Sequence, residues 1–299
     1  MANIIAVVWD FDKTLIKGYM ENPILEDNGI DPKTFWDEVN ALPLKYEKEQ
    51  GVKVNPDTIY LNHMLRYVRE GKLPKLSNAD LKDYGKKMDF YPGVPDIFAK
   101  TKNIIDDKKY KEFNIHLEHY IISSGLSAVI RGSSVNEYVD NVWGCEFIEE
   151  NGVISEIGYT IDNTTKTRAL FEINKGVGKI EGMKVNTTIP EEKRRVHFIN
   201  MVYVADGPSD IPAFSVVKKN GGSTFAVFPK GDMKAMKQVE QMRKDRRIDM
   251  MAEADYSDKS TASMWLCNNI EEFANKIIEK EKDAFREYTS KGLPQHLID

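Results

Sequence analysis

The stretch Val7-Val8-Trp9-Asp10-Phe11-Asp12-Lys13-Thr14-Leu15 ends an apolar run with two carboxylates two residues apart. Residues 4–9 (I-I-A-V-V-W) are continuously apolar, the pattern of a strand buried on both faces of a parallel sheet. Acidic residues closing such a strand have two readings: a solvated strand end, or a site that handles a phosphoryl group. Nothing local decides between them, so the remainder of the chain must.

Short apolar runs recur at Tyr120–Ile122, Met201–Ala205 and Thr224–Phe228, separated by helical patterns such as Val94–Ile105 and Thr167–Asn174. Strands alternating with helices predict an α/β fold with a doubly wound parallel sheet. Residues 17–89 differ. Asp31-Pro32 reads as a helix N-cap and first residue, Asp57 as the start of a second helix, and Ser77 or Asn78 as the cap of a third. No strand is legible there, which predicts a helical insert over 17–89 within an α/β core of 1–16 and 90–299. Asn151-Gly152 between two strand-like stretches predicts a hairpin. Residues 175–195 read as a polar surface excursion, and 270–288 as an amphipathic helix.

In a parallel α/β sheet ligands bind beyond the carboxyl ends of the strands. At those ends stand Asp10-Phe11-Asp12-Lys13-Thr14, then Ser123-Ser124-Gly125, then Asp206-Gly207-Pro208-Ser209-Asp210, with Lys166 alone ahead of a helix. Each element alone is weak, but four in order at four suitable positions argue for one site. Lys175 and Lys179 compete with Lys166, from a loop expected to be solvated. G176-V-G178-K-I-E-G182 fits no phosphate-loop pattern, and K193-R194-R195 and R243-K-D-R-R247 read as surface charge. The histidines show no ligand spacing. Tyr19, Phe35, Trp36, Tyr60 and Met64 read as core of the helical segment, with one or two able to face the site.

Composition limits the alternatives. The 299-residue chain is 41% hydrophobic and 30% charged with a formal net charge of −5, so no basic surplus points to nucleic acid. No apolar window approaches a membrane span, and the first residues lack the positive region of a signal peptide. Cys145 and Cys267 are too few for a disulfide framework, and a cytoplasmic protein is expected.

The set D-F-D-K-T, I-I-S-S-G, Lys166 and A-D-G-P-S-D resembles the four motifs of the haloacid dehalogenase superfamily. The first two motifs lie 113 residues apart and the next two only 43 apart. That spacing resembles the helical-cap branch to which phosphoserine phosphatase belongs, and implies that the helical insert over 17–89 is a cap domain. The resemblance implies a Mg²⁺-dependent phosphomonoesterase working on a small phosphorylated metabolite through an aspartyl-phosphate. Asp10 would be the nucleophile and Asp12 the general acid and base. Thr14, Ser123, Ser124, Gly125 and Lys166 would hold the phosphoryl group. The metal would take Asp10, the backbone carbonyl of Asp12 and Asp206, with Asp210 orienting that site. The acidic residue which that branch carries after its first motif is matched only by Glu21, late in I16-K-G-Y-M-E21. No cap arginine can be assigned to a substrate carboxylate, so phosphoserine itself is not the expected substrate. A phosphotransferase or mutase, a nucleotidase and a protein phosphatase would share the motifs; a non-catalytic binding protein would have no reason to gather so many carboxylates. Nothing in the sequence ranks an oligomeric interface.

Overall fold

The computed structural model describes residues 3–291, with side chains as far as residue 287. The central strand β1 (Asn3–Trp9) is buried along all but its first residue. Its alternate side chains feed two cores: Ile5, Val7 and Trp9 pack on one face of the sheet, Ile4, Ala6 and Val8 on the other. This explains the unbroken apolar run, because neither face of the strand meets water.

The helices α1 (Asn22–Asp27), α2 (Pro32–Gln50), α3 (Ile59–Arg69) and α4 (Asn78–Tyr84) follow. Next come α5 (Asp96–Ile105), α6 (Lys108–Lys111), β2 (Ile115–Leu126) and α7 (Ser127–Gly132). The hairpin β3 (Asn141–Glu150) and β4 (Val153–Tyr159) precedes α8 (Lys166–Lys175), β5 (Met201–Ala205) and α9 (Ile211–Lys219). The chain closes with β6 (Ser223–Phe228), α10 (Met233–Lys244), β7 (Met250–Glu253) and α11 (Thr261–Lys291).

The seven strands form one sheet in the order β4-β3-β2-β1-β5-β6-β7. All neighbours are parallel except β3 and β4, which pair antiparallel across the Asn151-Gly152 turn. The chain winds outward from β1 in both directions, so the carboxyl ends of β1, β2 and β5 lie side by side. Here the β2–β3 register shifts between Ile122 and Leu126, so that β2 carries Ser123-Ser124-Gly125 through an irregular stretch. Bulges of this kind re-aim side chains next to binding sites.

Among the described residues, the segment from 17 to 89 carries α1 to α4 and no strand. Its ends leave the core together: Lys17 N donates to Asp89 O at 2.8 Å and Tyr91 N to Leu15 O at 2.9 Å. Asp31 caps α2 through the amides of Lys33 and Thr34, and Ser77 caps α4 in a reciprocal capping box with Asp80. Asp57 does not start α3 as its sequence suggests. Thr58 holds that place without a side-chain cap bond, and Asp57 accepts instead from the Asn163 amide at 3.2 Å. The segment also meets the last two strands of the sheet: Ile154 N of β4 donates to Leu76 O at 2.8 Å, and Asn78 Nδ2 donates to Phe147 O of β3 at 3.0 Å.

Gly93 returns the chain to the sheet at φ +82°, where a Cβ would sit 2.1 Å from the Tyr256 backbone. Tyr256 closes this corner: its amide donates to Pro92 O and its hydroxyl to Thr14 O, both at 2.7 Å. Two expectations need correction. Strand β7 had no sequence signal, and the C-terminal helix begins nine residues earlier than expected, at Thr261 rather than 270. No helix among the described residues is long and apolar enough to cross a membrane.

Candidate active site

Asp10 is the first residue beyond β1, and its amide is tied to Val204 O of the neighbouring β5 at 2.9 Å. Its carboxylate is 5% exposed and fully engaged: Thr14 Oγ1 donates to Oδ2 at 3.0 Å and Lys166 Nζ to Oδ1 at 2.7 Å. Lys166, the first residue of α8, also donates to Asp210 Oδ1 at 2.6 Å. Asp210 is itself held by the Tyr203 hydroxyl at 2.6 Å and the Ser209 hydroxyl at 3.0 Å. One buried ammonium therefore bridges two buried carboxylates brought from the ends of β1 and β5. Burial alone would lower the Lys166 pKa, but Asp10 and Asp210 reverse this and hold the amine charged.

Asp206 completes the acidic group. Asp10, Asp206 and Asp210 each present a carboxylate oxygen within 4.8 Å of the others. Burial, then repulsion from Asp10 and Asp210, raises the Asp206 pKa to about 8. Burial raises Asp10 to about 6 against the opposing pull of Lys166. Three carboxylates outnumber the ammonium groups that offset them, Lys166 and, for Asp206, Lys13, and an all-oxygen donor set of this kind fits a hard divalent cation such as Mg²⁺.

Asp12 faces another way. Its Oδ1 accepts from the Met20 amide at 2.9 Å, and the carboxyl lies in a cavity of about 330 Å³ with Ser124, Gly125, Lys166 and Ser209. Burial first, then the neighbouring carboxylates of Glu21 and Asp10, raises its pKa well above the usual range, which favours the protonated acid. Gly125 is closely packed: a Cβ there would lie 2.2 Å from Met20 Cε, the flexible end of that side chain, and 3.1 Å from Asp12 Oδ2. Ser124 and Gly125 reach the cavity. Ser123 is buried, its hydroxyl accepting from the Gly125 amide at 3.0 Å. Thr14 is likewise buried and buttresses Asp10.

The other wall comes from the helical segment. Tyr19, Trp36 and Tyr60 line it, with Trp36 centred 4.6 Å from Tyr19 and 5.8 Å from Tyr60. Trp36 is oriented by its indole N–H donating to Asn22 Oδ1 at 3.1 Å, and Tyr60 by its hydroxyl donating to Ser124 O at 2.8 Å. Phe35 and Met64, by contrast, are core. Glu21 is the least expected lining residue. It is 1% exposed, its Oε1 has no hydrogen-bond partner, and burial lifts its pKa to about 7. The sequence flagged Glu21 only as a lone acid in its stretch; its isolation arises from packing.

The remaining candidates lie elsewhere. Lys175 donates to the carbonyls of Val185 (2.5 Å) and Thr187 (2.8 Å), pinning the 175–195 excursion, and Lys179 pairs with Asp140 at 3.3 Å. Arg195 is no free surface charge: it grips Glu118 through two bonds, of 2.5 and 2.6 Å. Cys145 and Cys267 are unpaired.

No protein-family model matches the chain. Over 286 residues it is 35% identical to an uncharacterised protein of Borreliella burgdorferi, spanning 90% of this chain and 97% of that protein. A haloacid dehalogenase family hydrolase of Salmonella enterica serovar Typhi shares its fold with a TM-score of 0.55 at 15% identity, over 89% of this chain and 71% of that one. A phosphoserine phosphatase captured as a phospho-aspartyl intermediate analogue aligns with a TM-score of 0.51 at 17% identity, over 88% and 98% of the two chains.

Proposed function

The chain has the haloacid dehalogenase fold in the arrangement of phosphoserine phosphatase and belongs to the same family as the Borreliella protein, and on that premise we propose that it is a Mg²⁺-dependent phosphomonoesterase. The observation that carries this reading is the pairing of two differently treated carboxylates at one strand end. Asp10 is ionised against Lys166 (2.7 Å), whereas Asp12, in the cavity, has an environment that favours its proton. Two carboxyl groups with environments pushed apart are what a nucleophile and a general acid require.

In this reading an oxygen of Asp10 attacks phosphorus, the ester P–O bond breaks, and Asp12 gives its proton to the departing oxygen. Asp12, now a carboxylate, takes a proton from water as that water attacks phosphorus. The Asp10–phosphorus bond then breaks and inorganic phosphate leaves. Lys166 holds Asp10 in place and, with the backbone around Ser124 and Gly125, faces the phosphoryl oxygens where charge collects. Asp10, the backbone carbonyl of Asp12 and Asp206 would hold Mg²⁺, with Asp210 orienting them. The ion would supply the positive charge that lets an anionic carboxylate approach a phosphate dianion. Residues 17–89 act as a cap over the site, and a cavity of about 330 Å³ supports a small metabolite over a protein substrate. Two unpaired cysteines are consistent with a reducing cytoplasm.

The test is release of phosphate from p-nitrophenyl phosphate with Mg²⁺ and with chelator, for the native chain and Asp10→Asn. Hydrolysis is expected only for the native chain with metal. Activity surviving both chelation and the substitution would overturn the mechanism.

A further inference from the structure

Helices α2 and α3 enclose a second cavity, of about 280 Å³, which shares no lining residue with the one at the active site. The two helices border both spaces with different side chains: Trp36 and Tyr60 face the active site, Leu42 and Ile59 the second cavity. The walls of this cavity differ in chemistry. One is apolar, built from Leu42, Ile59, Val54 and Val52, the last left 46% exposed. The other is cationic, with Arg66 and Arg69 three residues apart on one face of α3. Among the described residues no carboxylate lines the space.

Arg66 is held in position from below. His63, 1% exposed, packs between Phe35 and Tyr67, whose ring centroids lie 5.0 and 4.6 Å away. Its Nε2 hydrogen points at Glu38 Oε2, 2.8 Å away, an oxygen that also accepts from the Tyr67 hydroxyl at 2.8 Å. That tautomer leaves Nδ1 as an acceptor, and a guanidinium N–H of Arg66 donates to it. One of five N–H groups is spent in this way. Arg69 makes no ion pair or side-chain hydrogen bond among the described residues. The nearby carboxylates are taken: Glu38 by His63 and Tyr67, and Glu70, which acts on Arg66 through space, by Lys72 at 3.0 Å. Two guanidinium forks without an internal anion match a carboxylate, which each can grip through two parallel bonds. An inorganic anion would leave the apolar wall wet, and a neutral molecule would leave the forks unused.

We propose that this cavity is a second ligand site, taking a small organic carboxylate. The carboxylate lies on Arg66 and Arg69, and a single ring or short alkyl body rests against Leu42, Val52 and Ile59. The space is at the small end of the range for ligand sites, which limits the body to that size. Calorimetry on the full chain with Mg²⁺ compares phenylacetate with 2-phenylethanol, which lacks the charge, and with acetate, which lacks the body. Phenylacetate is expected to bind about tenfold more tightly than either, or better. Arg69→Met, at an exposed position, should weaken it about fivefold or more, and Val52→Asp, which sets a like charge on the rim, should do the same. Both positions lie outside the buried core, so these variants test the site even if Arg66→Met, which strips His63 of its donor, does not fold. Imidazole nitrogen spectra locate the ligand: phenylacetate should shift the ring resonances of His63, assigned with His63→Gln, and leave those of His119 in place. Equal binding of the three probes, unchanged binding in both surface variants, or a titration that leaves His63 unmoved would each overturn the proposal. None of these readouts uses turnover or Asp10, so the phosphatase reading and this site stand or fall separately.

Discussion

His119 sets an acid limit on stability that can be worked out from its neighbours. It lies fully buried in β2, with Trp9 Nε1 donating to its Nδ1 at 3.1 Å. Since Nδ1 must accept, the ring proton sits on Nε2 and points at Thr101 Oγ1, 3.0 Å away. The Thr101 hydroxyl can accept it because its own proton goes to the Ile97 carbonyl at 2.8 Å. A second ring proton would have to face the indole N–H. Burial, with Lys102 nearby, accordingly lowers the His119 pKa from 6.5 to about 3. The folded value lies below the unfolded one, so the contribution is complete above pH 6.5 and is lost as pH falls towards 3. Between pH 7 and pH 5 the unfolded chain gains roughly 0.7 of a proton that the folded chain refuses, a loss of about 2 kcal/mol. Urea denaturation at both pH values and constant ionic strength measures it. His119→Gln, which can accept from Trp9 and donate to Thr101 without titrating, should show a pH-dependent loss smaller by that amount. Identical pH dependence in the two proteins would refute the tautomer and the reasoning built on it.

Three further outcomes are expected. Lys166→Met strands Asp10 and Asp210 without a counter-charge and should destabilise the chelator-treated protein by about 3–5 kcal/mol in thermal denaturation, partly recovered on adding Mg²⁺. Asp12→Asn should slow turnover of an alkyl phosphate by about 10²–10⁴-fold, and that of p-nitrophenyl phosphate less, because nitrophenolate leaves without a proton; equal losses in steady-state kcat would count against Asp12 as the acid. Arg195→Ala, which removes the grip on Glu118, should lower stability by about 1–3 kcal/mol and leave kcat for p-nitrophenyl phosphate unchanged.

The parts of this molecule that were legible in its sequence are those whose cause is local. Met201–Ala205 reads as a strand because every side chain in it is buried, and Asp31 and Ser77 read as caps because their bonds close within three residues. Asp10, Lys166 and Asp210 could be suspected from their strand-end positions, but the shared ammonium joins residues 156 and 44 positions apart and only folding shows it. Strand β7, Met-Met-Ala-Glu, has no β-branched residue or alternation to betray it. Asp57 was misread for the opposite reason: its cap chemistry is good, but its carboxylate is taken by an amide 106 residues away. The ring wall was only half visible because Tyr19, Trp36 and Tyr60 come from a loop and two different helices, and a pattern of apolar positions does not say which ones border a void.

The bond from Ile154 to the Leu76 carbonyl gives the helical segment a second duty. Strand β4 ends the sheet, and an end strand with free amides is a template on which another chain can pair. Leu76 occupies one of those amides, and Asn78 adds a bond to the adjoining strand. Excising 17–89 to open the candidate site would therefore bare this strand margin as well as the cavity. Such a trimmed protein is expected to associate with itself through β4, so a change in its behaviour would reflect the exposed edge as well as the opened cavity.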